Sequence, residues 1–121
     1  MAKNIVRDDA ETFSAVCSDP AVPVSGDPVI VGMIPGVALT NERTDGTTTI
    51  QRDGTATLSV KGVTTAAAAS AVAAGDILYY VAANTPKVSK AVGDAGAVRY
   101  GYALAAVGSG LTATIEVLLG Y

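Results

Sequence analysis

Residues 111–119, LTATIEVLL, alternate between apolar and polar side chains over most of the run. This period of two is typical of a β-strand with one buried face, whereas a helix would scatter the same side chains around its axis. The run therefore predicts a strand near the end of the chain. The predicted inward residues are Leu111, Ala113, Ile115, Val117 and Leu119, and the predicted outward residues are Thr112, Thr114 and Glu116.

Shorter runs of the same kind recur along the chain, separated by turn residues. Residues 12–18 place three side chains, including Cys17, on one face. Residues 28–33 and 77–82 are apolar on both faces, so we expect each of these strands to be covered on both sides. Seven to nine short strands at this spacing predict an all-β fold, a small β-sandwich or barrel (β-tulip-like) of mostly antiparallel strands.

The composition agrees with short strands, because small and β-branched residues dominate it. Ala, Val, Thr and Gly make up 64 of the 121 residues, and the chain has one Phe and no Trp. Val and Thr fit a pleated, half-buried surface. Residues 64–74 are rich in Ala, and a short helix of about two turns stays open there as an alternative to extended structure.

A hairpin is predicted at the dipeptide Asp53-Gly54. The dipeptide lies between two strand-like runs, residues 47–52 and 55–61. A type I′ turn needs positive φ at both central residues, and Asp-Gly is a favoured pair for it.

The sequence also contains a weak internal echo. Gly26-Asp27 leads to GVAL at 36–39, and Gly75-Asp76 leads to GYAL at 101–104. The second copy is longer, so we expect it to contain an inserted hairpin over residues 84–98. Each Gly-Asp pair is interpreted as a turn that starts a buried strand, with a structural aspartate.

The chain lacks the residues that most catalytic and metal sites use. It contains no His, and Cys17 is its one Cys, so neither a His-based triad nor a CxxC zinc site can form. We expect Cys17 to be a buried structural thiol. Residues 108–113 match a GxGxxA pattern, but a strand-like run follows, which favours a hairpin loop over a phosphate site. The prediction is no enzyme, no cofactor and no metal site.

Charge and hydropathy limit the classes of partner that the chain is expected to bind. A net charge of −3 and a pI of about 4.6 disfavour nucleic acid as a partner. Uncharged runs are short and broken by Gly, so no membrane span is expected. Residues 1–11 mix both signs of charge without periodicity and are predicted to be an N-terminal arm before a single β domain at 12–121. A core of Ala and Val contributes little per side chain, so we expect stability to be raised by association.

Several segments, in order along nearly the whole chain, resemble the capsid cement (head decoration) proteins of tailed bacteriophages. They are MAKN at 1–4, VSGDPVIVGMIPGVALT at 24–40, AAGDILYYVA at 73–82, GYALAAV at 101–107 and ATIEVLLG at 113–120. The resemblance implies a structural virion protein, made in the host cytoplasm, that binds the outside of the expanded head. There it would clamp neighbouring subunits of the major capsid protein as a homotrimer, with no small-molecule substrate.

Two groups of residues are candidate contacts with the capsid or with other subunits. The resemblance implies that the arm pairs with capsid strands, with Ile5 and Val6 as its anchors. The arm residues concerned are Lys3, Asn4, Ile5, Val6 and Arg7. Tyr79 and Tyr80 are adjacent on one predicted strand, so they face opposite ways and a partner surface would cover one of them.

Two other functions stay open from the sequence. A phage tail or head-fibre β-module would have the same composition and a different docking partner. A small ligand-binding β-sandwich would need an aromatic-lined pocket, which the six scattered aromatic residues supply poorly.

Overall fold

The computed structural model describes residues 12–65 and 68–119, and these residues form eleven β-strands and no helix. The all-β prediction is confirmed, with more strands than the seven to nine expected. The strands are β1 (Thr12–Ala15), β2 (Pro28–Val31), β3 (Ile34–Ala38), β4 (Thr48–Gln51), β5 (Thr55–Lys61), β6 (Val63–Thr65), β7 (Ala68–Ala69), β8 (Ile77–Tyr80), β9 (Val88–Ser89), β10 (Val98–Ala103) and β11 (Thr112–Leu119).

These strands form three sheets. The first is a four-stranded sheet in the order β1-β4-β3-β2. The second is a closed barrel in the order β10-β11-β5-β9-β8, in which β8 pairs again with β10. The third is the pair β6-β7. Within the described residues, β5 and β9 are the one parallel pair, so the mostly antiparallel prediction is confirmed.

The alternation in the last strand is confirmed over β11. Ile115, Val117 and Leu119 are buried in the barrel, and Ala113 is half-buried against the same core. The prediction is wrong for Leu111, which is 63% exposed. Leu111 lies before the strand begins, so the pleat does not fix the direction of its side chain.

Of the two segments expected to be covered on both sides, residues 28–33 are covered over β2, whereas the outward side chains of β8, Ile77 and Tyr79, are only half-buried. Val29 and Ile30 are neighbours on β2, and both are buried. Val29 belongs to a small buried cluster with Cys17 and Ile50, whereas Ile30 belongs to the larger core of the barrel. Strand β2 therefore lies between two cores, which is why neither face could be polar.

The hairpin predicted at Asp53-Gly54 is wrong. Gly54 does adopt a positive φ of 83°, but the strands on either side of it belong to different sheets. β4 pairs with β1 and β3, and β5 pairs with β11 and β9. Long-range burial of both strands overrides the local turn signal, and the dipeptide connects the sheet to the barrel.

The helix that the sequence left open over residues 64–74 does not form in the described residues of this segment. Val63–Thr65 and Ala68–Ala69 pair as antiparallel strands, and the N–H of Ser70 bonds to the carbonyl of Gly62 at 2.9 Å. The N–H of Gly93 bonds to the carbonyl of Thr64 at 3.2 Å. These contacts to other segments favour extended backbone over the helix propensity of the alanines.

The internal echo is confirmed as a structural repeat. The first copy is the sheet β1-β4-β3-β2, and the second copy is the set β5-β11-β10-β8 within the barrel. Both copies have the same antiparallel neighbours in the same chain order. The registers match as well, because Gly36 lies opposite Val29 and Gly101 lies opposite Leu78.

The two Gly-Asp turns of the repeat have the same hydrogen bonds. Gly26 and Gly75 both have a φ of 93°. The carboxylate of Asp27 accepts the N–H of Val24 at 3.0 Å, and that of Asp76 accepts the N–H of Ala73 at 2.8 Å. Each turn also exchanges two backbone bonds with the end of the third strand of its copy, at Ala38 and at Ala103, with distances from 2.7 to 2.9 Å. Both aspartates therefore stabilise turns, as predicted.

The predicted insertion in the second copy supplies β9, which completes the barrel wall. In the first copy, backbone bonds between Asp19 and Ile30 bring the chain that follows β1 directly to β2. In the second copy, β9 lies between β5 and β8. The insertion is therefore not a separate hairpin, since its paired residues are part of the barrel.

Gly36 and Gly101 occupy matching positions and leave no room for a side chain. A Cβ at either position would lie less than 3.0 Å from a backbone carbonyl oxygen of the next strand, at Gln51 or at Leu118. The close approach of neighbouring strands requires glycine here.

Candidate functional site

The structure separates the two tyrosines that the sequence singled out. Tyr80 points into the barrel and has no exposed surface, whereas Tyr79 points outward and is half-buried. The side chain of Tyr80 is therefore not accessible to a partner. The other predicted contacts, Lys3 to Arg7, lie outside the described residues.

Inside the barrel, Tyr80 and Tyr100 connect the two copies of the repeat. Their rings stack with centroids 6.1 Å apart. The hydroxyl of Tyr100 donates a 2.6 Å hydrogen bond to the carbonyl of Gly36 in the first copy. The hydroxyl of Tyr80 donates to the carboxylate of Asp19, also in the first copy.

Asp19 forms an ion pair across the same junction. The Nζ of Lys87 lies 2.7 Å from an oxygen of Asp19 and 5.8 Å from the centre of the Tyr80 ring. Burial of Asp19 opposes its ionisation, but hydrogen bonds from Lys87 and Tyr80 outweigh this effect and hold its pKa below the usual range. Asp19 is therefore a charged structural group at neutral pH.

The two tyrosine hydroxyls of this cluster act as structural hydrogen-bond donors. Burial raises the pKa of both Tyr80 and Tyr100 far above the usual value, so both phenols stay protonated at neutral pH. A groove of about 240 Å³ lies beside the ion pair and is lined by Pro20, Asp27, Pro28, Ser59, Pro86 and Lys87.

Cys17 is buried, as predicted, with a half-buried carboxylate nearby. Burial raises the pKa of its thiol, and the negative charge of Glu42 raises it further. Such a thiol is weakly nucleophilic at neutral pH. In the described residues, no group of three or more His, Cys, Asp or Glu side chains could hold a metal ion.

The outward face of the barrel carries aromatic, Arg and aliphatic side chains on neighbouring strands. Register places Ile77 opposite Tyr102 and Tyr102 opposite Leu118, and it places Tyr79 opposite Arg99. We call these five residues the outer stripe. The guanidinium of Arg99 lies 5.5 Å from the centre of the Tyr102 ring and donates a hydrogen bond to its hydroxyl.

A β-bulge in β10 assembles this stripe. The register shifts between Arg99 and Gly101, so Tyr100 is the extra residue. Its side chain enters the core, while Arg99 and Tyr102, three positions apart, both face outward. Simple alternation would have placed them on opposite faces, which is why the sequence identified Tyr79 but not Arg99 as a candidate contact.

Comparison with known proteins decides the family. The family model described as phage cement protein matches residues 6–119, nearly the whole chain. The chain belongs to the phage cement protein family. Neither the curated proteins nor the solved structures that were compared gave a match.

Membership makes this cement protein a structural component of a phage capsid and suggests a non-enzyme. The outer stripe suits such a role, because Tyr and Arg are enriched in protein interfaces. In the described part of the cement protein, no helix is long and apolar enough to cross a membrane. The strand predicted at residues 111–119 is confirmed as β11, which begins at Thr112 within the GxGxxA pattern, so the pattern does not open a helix.

Proposed function

We propose that this protein binds the outer surface of the expanded phage head and clamps neighbouring subunits of the major capsid protein. The observation that carries the proposal is the outer stripe. A sheet face that meets only water is usually polar, whereas this one presents Tyr79, Arg99, Tyr102 and Leu118. Family membership supports the capsid as the surface that this face meets.

The outer stripe fits a docking surface energetically as well. Leu118 is 39% exposed, and Tyr79, Arg99 and Tyr102 are half-buried, so each would lose further contact with water on binding. Aromatic and Arg side chains in the centre of an interface carry much of its binding energy. We propose Tyr79 as the central contact, with Arg99 and Tyr102 already held against each other by the cation–π contact.

We further propose that the arm at residues 1–11 strengthens attachment by pairing with capsid strands. Ile5 and Val6 would supply the apolar anchors, and Lys3, Asn4 and Arg7 would flank them. Addition of an extended segment to a sheet edge uses backbone hydrogen bonds for affinity and alternate side chains for specificity.

The proposed assembly is a homotrimer on the capsid, formed after synthesis in the host cytoplasm. A protein that binds the expanded shell and not its precursor stabilises the expanded state by mass action. Many weak contacts repeated over a lattice then add up through effective concentration. This role requires no catalysis, no cofactor and no nucleic acid.

The test is co-sedimentation of the purified protein with expanded shells and with unexpanded proheads of the same phage. We expect binding to expanded shells alone and a higher temperature of shell disruption when the protein is bound. Absence of binding to either shell would reject the proposal and favour a tail or fibre role. Equal binding to both shells would reject selectivity for the expanded state.

Variants then locate the contact. Tyr79→Ala should weaken shell binding at least tenfold, as for an interface anchor. Thr114→Ala is the control, since Thr114 is exposed on β11 of the same barrel and lies outside the outer stripe. Deletion of residues 1–11 should leave the circular dichroism spectrum unchanged and weaken binding. Wild-type affinity in the deletion variant would contradict the role of the arm.

A further inference from the structure

Each copy of the repeat exposes one leucine at the same position. Leu39 follows the buried Ala38 at the end of β3, and Leu104 follows the buried Ala103 at the end of β10. The two leucines are 42% and 43% exposed. Each donates its backbone N–H to the strand that follows in its copy, Leu39 to Thr49 at 2.8 Å and Leu104 to Glu116 at 3.0 Å.

Neither leucine belongs to the hydrophobic cores of the described residues. The neighbouring alanines are the side chains that enter the cores, with 1% exposure at Ala38 and none at Ala103. A polar residue could donate the same backbone hydrogen bond and would face water at lower cost. Two matching exposed leucines therefore point to a shared contact rather than to a shared role in packing.

The surroundings of the two leucines indicate which property is shared. Beside Leu39, the guanidinium of Arg43 donates a hydrogen bond to the hydroxyl of Thr49. Glu116 occupies the position beside Leu104 that Thr49 occupies beside Leu39, and Glu116 is exposed. One position has a nearby positive charge and the other a negative charge, so the feature common to both is apolar.

The exposed area limits the kind of partner. Two partly exposed leucines offer far less than the roughly 1,000 Å² that a specific interface buries in total. They are too small to form a stable dimer of this chain in solution. They suit contacts that are weak one by one and are repeated on an ordered array, where effective concentration supplies the affinity.

We propose that Leu39 and Leu104 contact the same apolar patch on two neighbouring copies of the major capsid protein. One chain would bridge two identical subunits by using the two copies of its own repeat. This inference rests on the proposed binding to the head, and it specifies how one chain reaches two subunits at once.

The test uses the full-length chain with a photo-reactive residue at one or both positions. The variants are Leu39→p-benzoylphenylalanine, Leu104→p-benzoylphenylalanine and the double variant, each bound to expanded shells and irradiated. We expect both single variants to cross-link to the same tryptic peptide of the major capsid protein. The double variant should also give a product that contains one chain and two capsid subunits.

Quantitative binding gives a second readout that does not depend on cross-linking. Leu39→Ser and Leu104→Ser should each weaken shell binding roughly five- to tenfold, and together by about the product of the two factors. Leu111→Ser is the matched control, because Leu111 is 63% exposed and lies outside the strands of the repeat. It should leave binding unchanged.

The outcomes separate this inference from the proposed function. If the wild-type chain does not bind expanded shells, the proposed function fails. If it binds, but the two positions cross-link to different capsid peptides, to this chain itself or to nothing, the bridging inference is overturned and the proposed function stands. An effect of only one of the two serine variants would overturn it equally.

Discussion

The hydroxyl of Tyr100 donates a 2.6 Å hydrogen bond to the backbone carbonyl of Gly36, 64 residues earlier in the chain. Tyr100 lies in the second copy of the repeat and Gly36 in the first, so this bond joins the two. Both groups are buried, which raises the cost of losing either partner.

Tyr100→Phe should therefore lower the free energy of unfolding by about 1–2 kcal/mol, because the ring stays and the hydroxyl is lost. Urea unfolding followed by circular dichroism measures the change. Tyr79→Phe is the control, since Tyr79 faces outward and is only half-buried. Equal loss in both variants would contradict a special role for the bond to Gly36.

Acid should weaken the junction between the copies through Asp19. The pKa of Asp19 is lower in the folded chain than its unfolded value of about 3.9, so its contribution is complete above that value. The contribution is then lost as pH falls through the folded pKa. We expect Asp19→Asn to be less stable than wild type at pH 7 and nearly equal to it at the lowest pH where both fold.

Urea midpoints measured from pH 7 downward test this expectation. Asp53→Asn is the matched control, because Asp53 is exposed in the connection between β4 and β5. A difference between Asp19→Asn and wild type that stays constant over the whole range would show that the charge of Asp19 is not responsible.

Base should also destabilise the fold, through the two buried tyrosines. The pKa values of Tyr80 and Tyr100 are raised in the folded chain, so their stabilising effect is complete below the unfolded value of about 10. It is lost as pH rises further, because the unfolded chain ionises first. Absorbance at 295 nm should show these two phenols ionising only together with unfolding.

Tyr100→Phe isolates one of these phenols. The variant should keep the absorbance change that precedes alkaline unfolding and lose amplitude only in the unfolding step. Loss of amplitude before unfolding would mean that Tyr100 is reached by base in the folded state.

Alanine at either repeat glycine should be poorly tolerated. In Gly101→Ala the new methyl group would meet the carbonyl oxygen of Leu118, and in Gly36→Ala it would meet that of Gln51. Because backbone must move to make room, we expect a loss of about 1–3 kcal/mol in each variant. Thermal unfolding measures it, with Ser109→Ala in an exposed loop as the control.

Features that depend on alternation and on turn chemistry could be predicted from the sequence. The period of two gave the inward residues from Ala113 to Leu119, because burial of one face imposes that period directly. The Gly-Asp repeat was also readable, since positive φ at Gly26 and Gly75 and a carboxylate that accepts a nearby N–H are local requirements.

Features that depend on competition between distant partners could not be predicted. Asp53-Gly54 satisfies the local requirement for a hairpin, yet β4 and β5 each gain more by pairing in different sheets. The bulge at Tyr100 moves one residue into the core and thereby brings Arg99 and Tyr102 to the same face. The period of two does not indicate where an extra residue is inserted, so most residues of the outer stripe could not be predicted from the sequence.

The two-residue strand β9 closes the barrel that the second copy of the repeat forms. Barrel diameter grows with the number of strands, and β9 adds a fifth strand to a unit that has four in the first copy. Tyr80, whose ring stacks on that of Tyr100, lies directly opposite Val88 of β9. The connection between β8 and β10 is therefore what distinguishes the closed barrel of the second copy from the open sheet of the first.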